Sequence, residues 1–220
     1  MPDHGQRLEF SRPCLLIVEG NDDKCFFEAL LSYLSSSSRL QSISQSFDIY
    51  NLNVKDRLND VLKTIKQTPG FNSVKALGIV RDSNSHPART FQSIQNALKS
   101  AGFSCPKKEM GMVGEEPKIS IKLIPGINQT GMLEDLCLSS VQADPAIDCV
   151  DSYFDCLKER KIIISKDKPK AKCQAFLASR PRSPRDTGIA AKRSVWPFES
   201  SAFGEIRQFL INLFQVNDQG

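Results

Sequence analysis

The sequence predicts an α/β fold: a mostly parallel sheet flanked by helices, extended by a helical C-terminal part. Three observations predict it. Apolar runs of strand length at 15–18, 47–52 and 74–80 are each followed by a stretch with apolar residues at helical spacing. A repeated strand–helix order requires parallel strands with helices on the sheet faces. Acids also stand where two of these runs stop, at Glu19 and Asp82. In such a sheet the carboxyl ends of the strands form the ligand crevice.

Each element can be justified in turn. Residues 1–12 read as a lead-in. Leu15-Leu16-Ile17-Val18 reads as a strand buried on both faces, and Gly20 turns the chain into a helix carrying Phe26, Phe27, Leu30, Leu31 and Leu34 on one side. Asn21 is the expected N-cap, with Asp22 and Asp23 suited to the positive end of the helix dipole. The serines at 35–38 mark a loop. Phe47-Asp48-Ile49-Tyr50-Asn51-Leu52 alternates as a second strand, and 54–65 follows as a helix stopped by Pro69-Gly70. The third strand, 74–80, runs into Arg81-Asp82-Ser83-Asn84, and Pro87 opens a helix reaching Gly102. Residues 103–118 suggest a loop or a short edge strand. Residues 119–124 form a fourth strand, ended by Pro125-Gly126. Helices are expected from Gly131, over 145–160 and 171–178, and finally through Phe203, Ile206, Phe209, Leu210, Leu213 and Phe214. The expected division is a core at 12–142 and a helical part at 143–220 packed on it, with a basic loop at 157–193.

Composition bounds the function. The 220 residues are 40% hydrophobic and 25% charged, as in an ordinary globular chain. No apolar run approaches the roughly 20 residues of a membrane span, and the N-terminus lacks the apolar segment of a secretory signal. Seven scattered cysteines with no C-x-x-C pair argue against a disulfide framework or structural zinc. The cytoplasm is the expected compartment. The net charge of +4 is uneven: residues 157–193 hold 12 basic and 3 acidic residues, while the remainder holds 17 and 22. Such an imbalance suits a polyanion contacted from one side, or a solvated lysine-rich loop. There is no G-x-x-x-x-G-K-[ST] stretch, so the chain supplies no P-loop of its own.

Three acidic positions share one address: Glu19 after the first strand, Asp82 after the third, and Glu134 or Asp135 after the fourth. A glutamate fused to a buried strand needs a partner, either a cation or a buried basic side chain. Carboxylates gathered at one edge suit Mg²⁺, which takes oxygen ligands and keeps several waters. Asp23, one turn beyond Glu19, could join the same site or a second one. Such an arrangement suits phosphodiester chemistry. His86, alone in its loop, reads as a surface residue, and the helically spaced phenylalanines read as core.

Val18-Glu19-Gly20-x-x-Asp23, followed by a strand ending in Asp82-Ser83-Asn84, resembles the Toprim domain of topoisomerases, bacterial primases and OLD-family nucleases. Gly131-Met132-Leu133-Glu134-Asp135-Leu136, the Lys170-Ala171-Lys172 piece and Trp196-Pro197-Phe198 are similar to small stand-alone bacterial Toprim proteins. The resemblance implies a Toprim-like, Rossmann-like core and Mg²⁺- or Mn²⁺-dependent cleavage or nicking of nucleic acid, with DNA favoured over RNA and the choice between them left open. It implies Glu19, Asp23 and Asp82 as catalytic residues, and Glu19, Asp82, Asn84 and Glu134 as metal ligands. Lys170 or Lys172 would steady the scissile phosphate; Arg180, Arg182 and Arg185 would contact nucleic acid or remain solvated. It also implies a separate ATPase subunit as partner. The chain departs from the family pattern at Asn84, where a second aspartate is usual. Arg81 adds positive charge beside Asp82 if it points inward, and strand alternation sends it to the other face from Asp82. The alternative reading is a catalytically weak module that binds nucleic acid or a protein partner.

Overall fold

The computed structural model describes residues 9–36, 39–52 and 58–216. Its centre is a four-stranded, all-parallel sheet in the order β2-β1-β3-β4. The strands are β1 (Cys14–Val18), β2 (Phe47–Asn51), β3 (Ala76–Asp82) and β4 (Lys118–Ile124). All of β1 is buried, as a central parallel strand covered on both faces must be. The register runs Ile17 against both Tyr50 and Ile79, and Ile79 against Ile121.

Helices cover both faces. α2 (Leu58–Ile65) and α3 (Pro87–Ser100) pack on the side displaying Leu15, Ile17, Leu77 and Ile79. The other side displays Leu16, Val18 and Val80, and is covered by α1 (Asn21–Leu34) and the later helices. These are α4 (Leu133–Ser140), α5 (Pro145–Glu159), α6 (Lys168–Ala178), α7 (Thr187–Lys192) and α8 (Gly204–Gln215). Gly78 lets α8 lie close on the sheet, because a Cβ there would stand 2.5 Å from Leu213 Cδ1 and 3.2 Å from Phe209 Cζ. The C-terminal helices therefore share a core with β1 and α1: Leu16, Phe26, Phe176 and Phe209 belong to one apolar cluster.

Several expectations shift by one element. Gly20, not Asn21, caps α1, and Asn21 is the first helical residue. The expected helix at 54–65 begins in residues that lie outside those described, as do most of the lead-in and part of the serine loop. The basic stretch 157–193 is less of a loop than its composition suggests, since α6 and α7 occupy much of it. α7 escaped the sequence reading because Thr187-Gly188-Ile189-Ala190-Ala191 is short and rich in small residues. Small residues let α7 sit tightly against α1: a Cβ on Gly188 would stand 2.4 Å from the Asp22 carbonyl oxygen. Among the described residues, no helix is long and apolar enough to cross a membrane.

Candidate acidic site at the carboxyl edge of the sheet

Glu19 follows the last residue of β1. Continuing the register of Ile17 with Ile79 sets Glu19 beside Arg81, on the face lined by α2 and α3. The Arg81 Nε–H donates to Glu19 Oε1 at 2.6 Å, with the two side chains only 12% and 6% exposed. Alternation does send Arg81 away from Asp82, as the sequence implied. The same alternation brings it to Glu19, so the buried salt bridge that competed with a metal for Glu19 is present.

Asp82 reaches the opposite face. Its Oδ1 accepts the backbone N–H of Leu133 at 3.1 Å and ties the end of β3 to the start of α4. The next residues form a tight junction. Ser83 N–H donates to Ile124 O at 2.7 Å, and Asn84 and Gly131 exchange backbone hydrogen bonds of 2.8 and 3.0 Å. Asn84 has φ 53°, a left-handed backbone that asparagine tolerates better than most residues. Its Nδ2–H donates to the Asp82 carbonyl at 3.1 Å, a bond that an ionised aspartate could not make. The departure from an Asp-x-Asp pattern thus has a local structural reason.

Two helices open at this edge in the same way. Asp23 Oδ2 accepts the Gly20 N–H at 3.0 Å at the start of α1, and Asp135 Oδ2 accepts the Met132 N–H at 2.9 Å at the start of α4. In each helix the acid preceding the capping one is turned to another task. Asp22 Oδ1 accepts the Gly188 N–H of α7, and Glu134 is buried, 9% exposed. Of the pair Glu134–Asp135, the capping role falls to Asp135. Of the pair Asp22–Asp23, it falls to Asp23, the one the sequence assigned to chemistry.

The electrostatics show that these acids crowd one another. Burial, followed by the charges of Glu19, Asp22 and Glu134, pushes Asp23 up to about 7. Burial, with Asp186 and Glu134 adding, pushes Asp22 up to about 6. Glu134 and Asp135 are raised, in both cases mainly by burial, and Lys170 on α6 pulls Glu134 back. The negative field extends to the buried thiols beneath. Cys173 is pushed up to about 12, first by burial and then by Glu134 and Asp22. Asp186 was missed from the sequence. It caps α7 by accepting the Ile189 N–H at 2.7 Å, and the signal for it was an aspartate just before a run of small residues.

The structure therefore gathers Glu19, Asp22, Asp23 and Glu134 into one electrostatic neighbourhood, with Lys170 on its rim. Among the described residues, no three His, Cys, Asp or Glu side chains converge in a metal-ligating group. The remaining basic residues lie elsewhere. Lys172 is paired with Asp151, and Arg180 with Asp144 at 2.8 Å while its guanidinium covers the Phe176 ring. Arg182 and Arg185 are exposed in the turn between α6 and α7.

No curated protein and no solved structure matches the chain. A family described as "Protein of unknown function (DUF3226)" matches residues 13–215, nearly the whole described fold. A strand-end glutamate, two acid-paired helix starts and the α6–α8 region all fall within that match, and the chain belongs to the DUF3226 family.

Proposed function

We propose that this edge of the sheet performs Mg²⁺- or Mn²⁺-dependent cleavage or nicking of nucleic acid, with DNA the favoured substrate. The observation that carries the reading is the crowding of Asp22, Asp23 and Glu134, each raised above its ordinary value by burial and by its neighbours. Uncompensated negative charge of this kind is relieved by a hard cation or by a proton. A Mg²⁺ ion is commonly held by only one or two carboxylates, with waters and substrate phosphates completing its shell. The lack of a ready-made three-ligand group among the described residues is compatible with that mode. Glu134 and Asp82 would hold the ion in that mode, with Glu19 taking part if Arg81 releases it, and Asp23 is left to handle the proton. When bound, the ion would polarise a phosphate oxygen and lower the pKa of a bound water.

The chain's own residues have separate tasks. Asp23, at about 7 in the metal-free chain, can take or give a proton at its carboxyl oxygen near neutral pH, as a general acid or base requires. Lys170, which already counters Glu134, would steady a phosphate oxygen. Arg81 sets the orientation of Glu19. The Toprim resemblance extends the reading to a separate ATPase partner, and seven cysteines that form no disulfide suit a cytoplasmic setting.

One observation favours a second reading. The Arg81–Glu19 pair neutralises the strand-end carboxylate that a nuclease of this type would use, which suits a binding module of weak activity. Nicking of supercoiled plasmid in millimolar Mg²⁺ or Mn²⁺ separates the two. Activity in the wild type that is lost in both Glu19→Gln and Asp23→Asn supports the nuclease. Binding without nicking in either metal, with and without the ATPase partner, supports the module.

A further inference from the structure

The carboxyl edge of the sheet carries a second feature on the face away from α4. Arg81 at the end of β3, the start of α2 and one side of α3 enclose an open cleft of about 730 Å³. Its charged lining consists of Arg81 and Arg89; His86, Asn84, Thr90 and Ser93 supply neutral polar groups. No carboxylate lines it among the described residues. Both charged groups on the described wall are thus basic, and Arg81, paired through its Nε–H with Glu19, belongs to the acidic site as well. Its Nε–H holds Glu19, while the residue also forms part of the cleft wall. A cleft walled by one sign of charge focuses its field on an incoming ion of the opposite sign. α3 starts at this wall with Pro87 in its first turn, so the helix dipole adds to the same sign.

We propose that this cleft takes the phosphate backbone of a single nucleic-acid strand, with Arg81 and Arg89 as its phosphate contacts. The inference deepens the nuclease reading, because a strand lying here passes from α3 over the end of β3 toward Glu19 and the acids beyond it. The volume lies within the range of about 300–1,000 Å³ typical of ligand pockets, which suits a short stretch of single strand. Arginines present paired N–H donors that match phosphate oxygens, whereas the described residues of the cleft include no Phe, Tyr or Trp on which bases could stack. Contacts confined to phosphate position a strand without reading its sequence.

The test is fluorescence anisotropy of a labelled single-stranded DNA oligonucleotide of about 16 nucleotides, an upper value for the site of one small binding fold. It is run in EDTA across a salt series, so that binding is read with cleavage chemistry removed. Arg89 and Ser93 are both exposed on α3, and Arg89→Gln and Ser93→Glu should leave the fold intact. Arg89→Gln should weaken binding about fivefold and lower the slope of log affinity against log salt by about 0.7, the loss of one single-strand phosphate contact. Ser93→Glu should weaken it further, and Arg182→Gln, in the exposed turn, should not change it. Wild-type affinity in both α3 variants overturns the proposal, as does failure of the wild type to bind the oligonucleotide. Displacement of the oligonucleotide by AMP at concentrations below the oligonucleotide's own Kd would assign the cleft to a free nucleotide and overturn the strand. Salt-dependent binding that needs Arg89, without nicking in Mg²⁺, supports this cleft while refuting the nuclease reading.

Discussion

Replacing Arg81 with glutamine tests how Glu19 is held and what else could hold it. The pair is nearly dry, with 6% of the Glu19 side chain and 12% of the Arg81 side chain exposed. Breaking a buried pair from one side leaves a charge without compensation and costs about 3–5 kcal/mol. In a chain of 220 residues each kcal/mol lowers the Tm by about 2–4 °C, so Arg81→Gln should lower it by about 6–20 °C. Adding Glu19→Gln to that variant removes the stranded charge and should recover at least half of the loss. Thermal unfolding followed by circular dichroism in EDTA measures both effects. Repeating it in millimolar Mg²⁺ reads the competition between arginine and cation. An ion at tenfold its Kd adds about 1.4 kcal/mol, and that gain should be larger in Arg81→Gln than in the wild type because Glu19 is then released. A Tm for Arg81→Gln within the scatter of the wild type would refute the buried-pair argument. An identical Mg²⁺ shift in wild type, Arg81→Gln and the double variant would refute any role for Glu19 in cation binding.

Further predictions follow from the same geometry. Asp23 has a folded pKa of about 7 against an ordinary 3.8, so the folded state holds a proton that the unfolded chain has already released. Stability should therefore fall as the pH rises from about 4 to about 7 and then level off, and urea denaturation of Asp23→Asn should show a flatter profile with a gain on the alkaline side. Gly188→Ala places a Cβ 2.6 Å from Asp22 Oδ1 and Cys25 Cβ, and should destabilise the fold by about 1–3 kcal/mol in chemical denaturation by prising α7 from α1. Trp196→Phe keeps the ring stacked near Phe176 but removes the indole N–H that donates to the Thr187 carbonyl at 2.9 Å, a loss of about 0.5–1.5 kcal/mol by the same measurement.

The fold was legible because its signals are local. Strand-length apolar runs with helical spacing behind them gave β1, β2, β3 and the helices after them, since a sheet buried on both faces leaves little choice of residue. Pro87 and Pro145 marked helix starts that the structure keeps. The site was legible as a place, because acids at the carboxyl edge of parallel strands converge whatever their individual roles. Their roles were not legible. The task of Asp22 depends on α7, which lies 166 residues further along and supplies the Gly188 N–H. The Glu19–Arg81 pair was readable only by counting register from Ile17 and Ile79, a relation between strands that periodicity within one strand does not contain. The cleft beside α3 drew no notice for a similar reason: Arg81 and Arg89 are ordinary residues until the turn at Asn84 sets them on one wall.

The far edge of the sheet has a bearing on how this protein can assemble. Lys122 on β4 is fully buried, and its Nζ donates to Glu109 at 2.9 Å and to Glu205 at 2.5 Å. Glu109 in turn accepts the backbone N–H groups of Leu123 and Ile127. Met110 and Val113 complete the seal through backbone bonds to Ile121 and Ile119. The outward ladder of β4 is thus occupied by the chain's own 109–113 segment, which is fastened there by an ion pair. A bare strand edge invites a neighbour to add a strand; this one is closed. At the β4 edge a companion subunit cannot prolong the sheet and must engage helices or loops instead, which leaves β2 as the sheet's other edge.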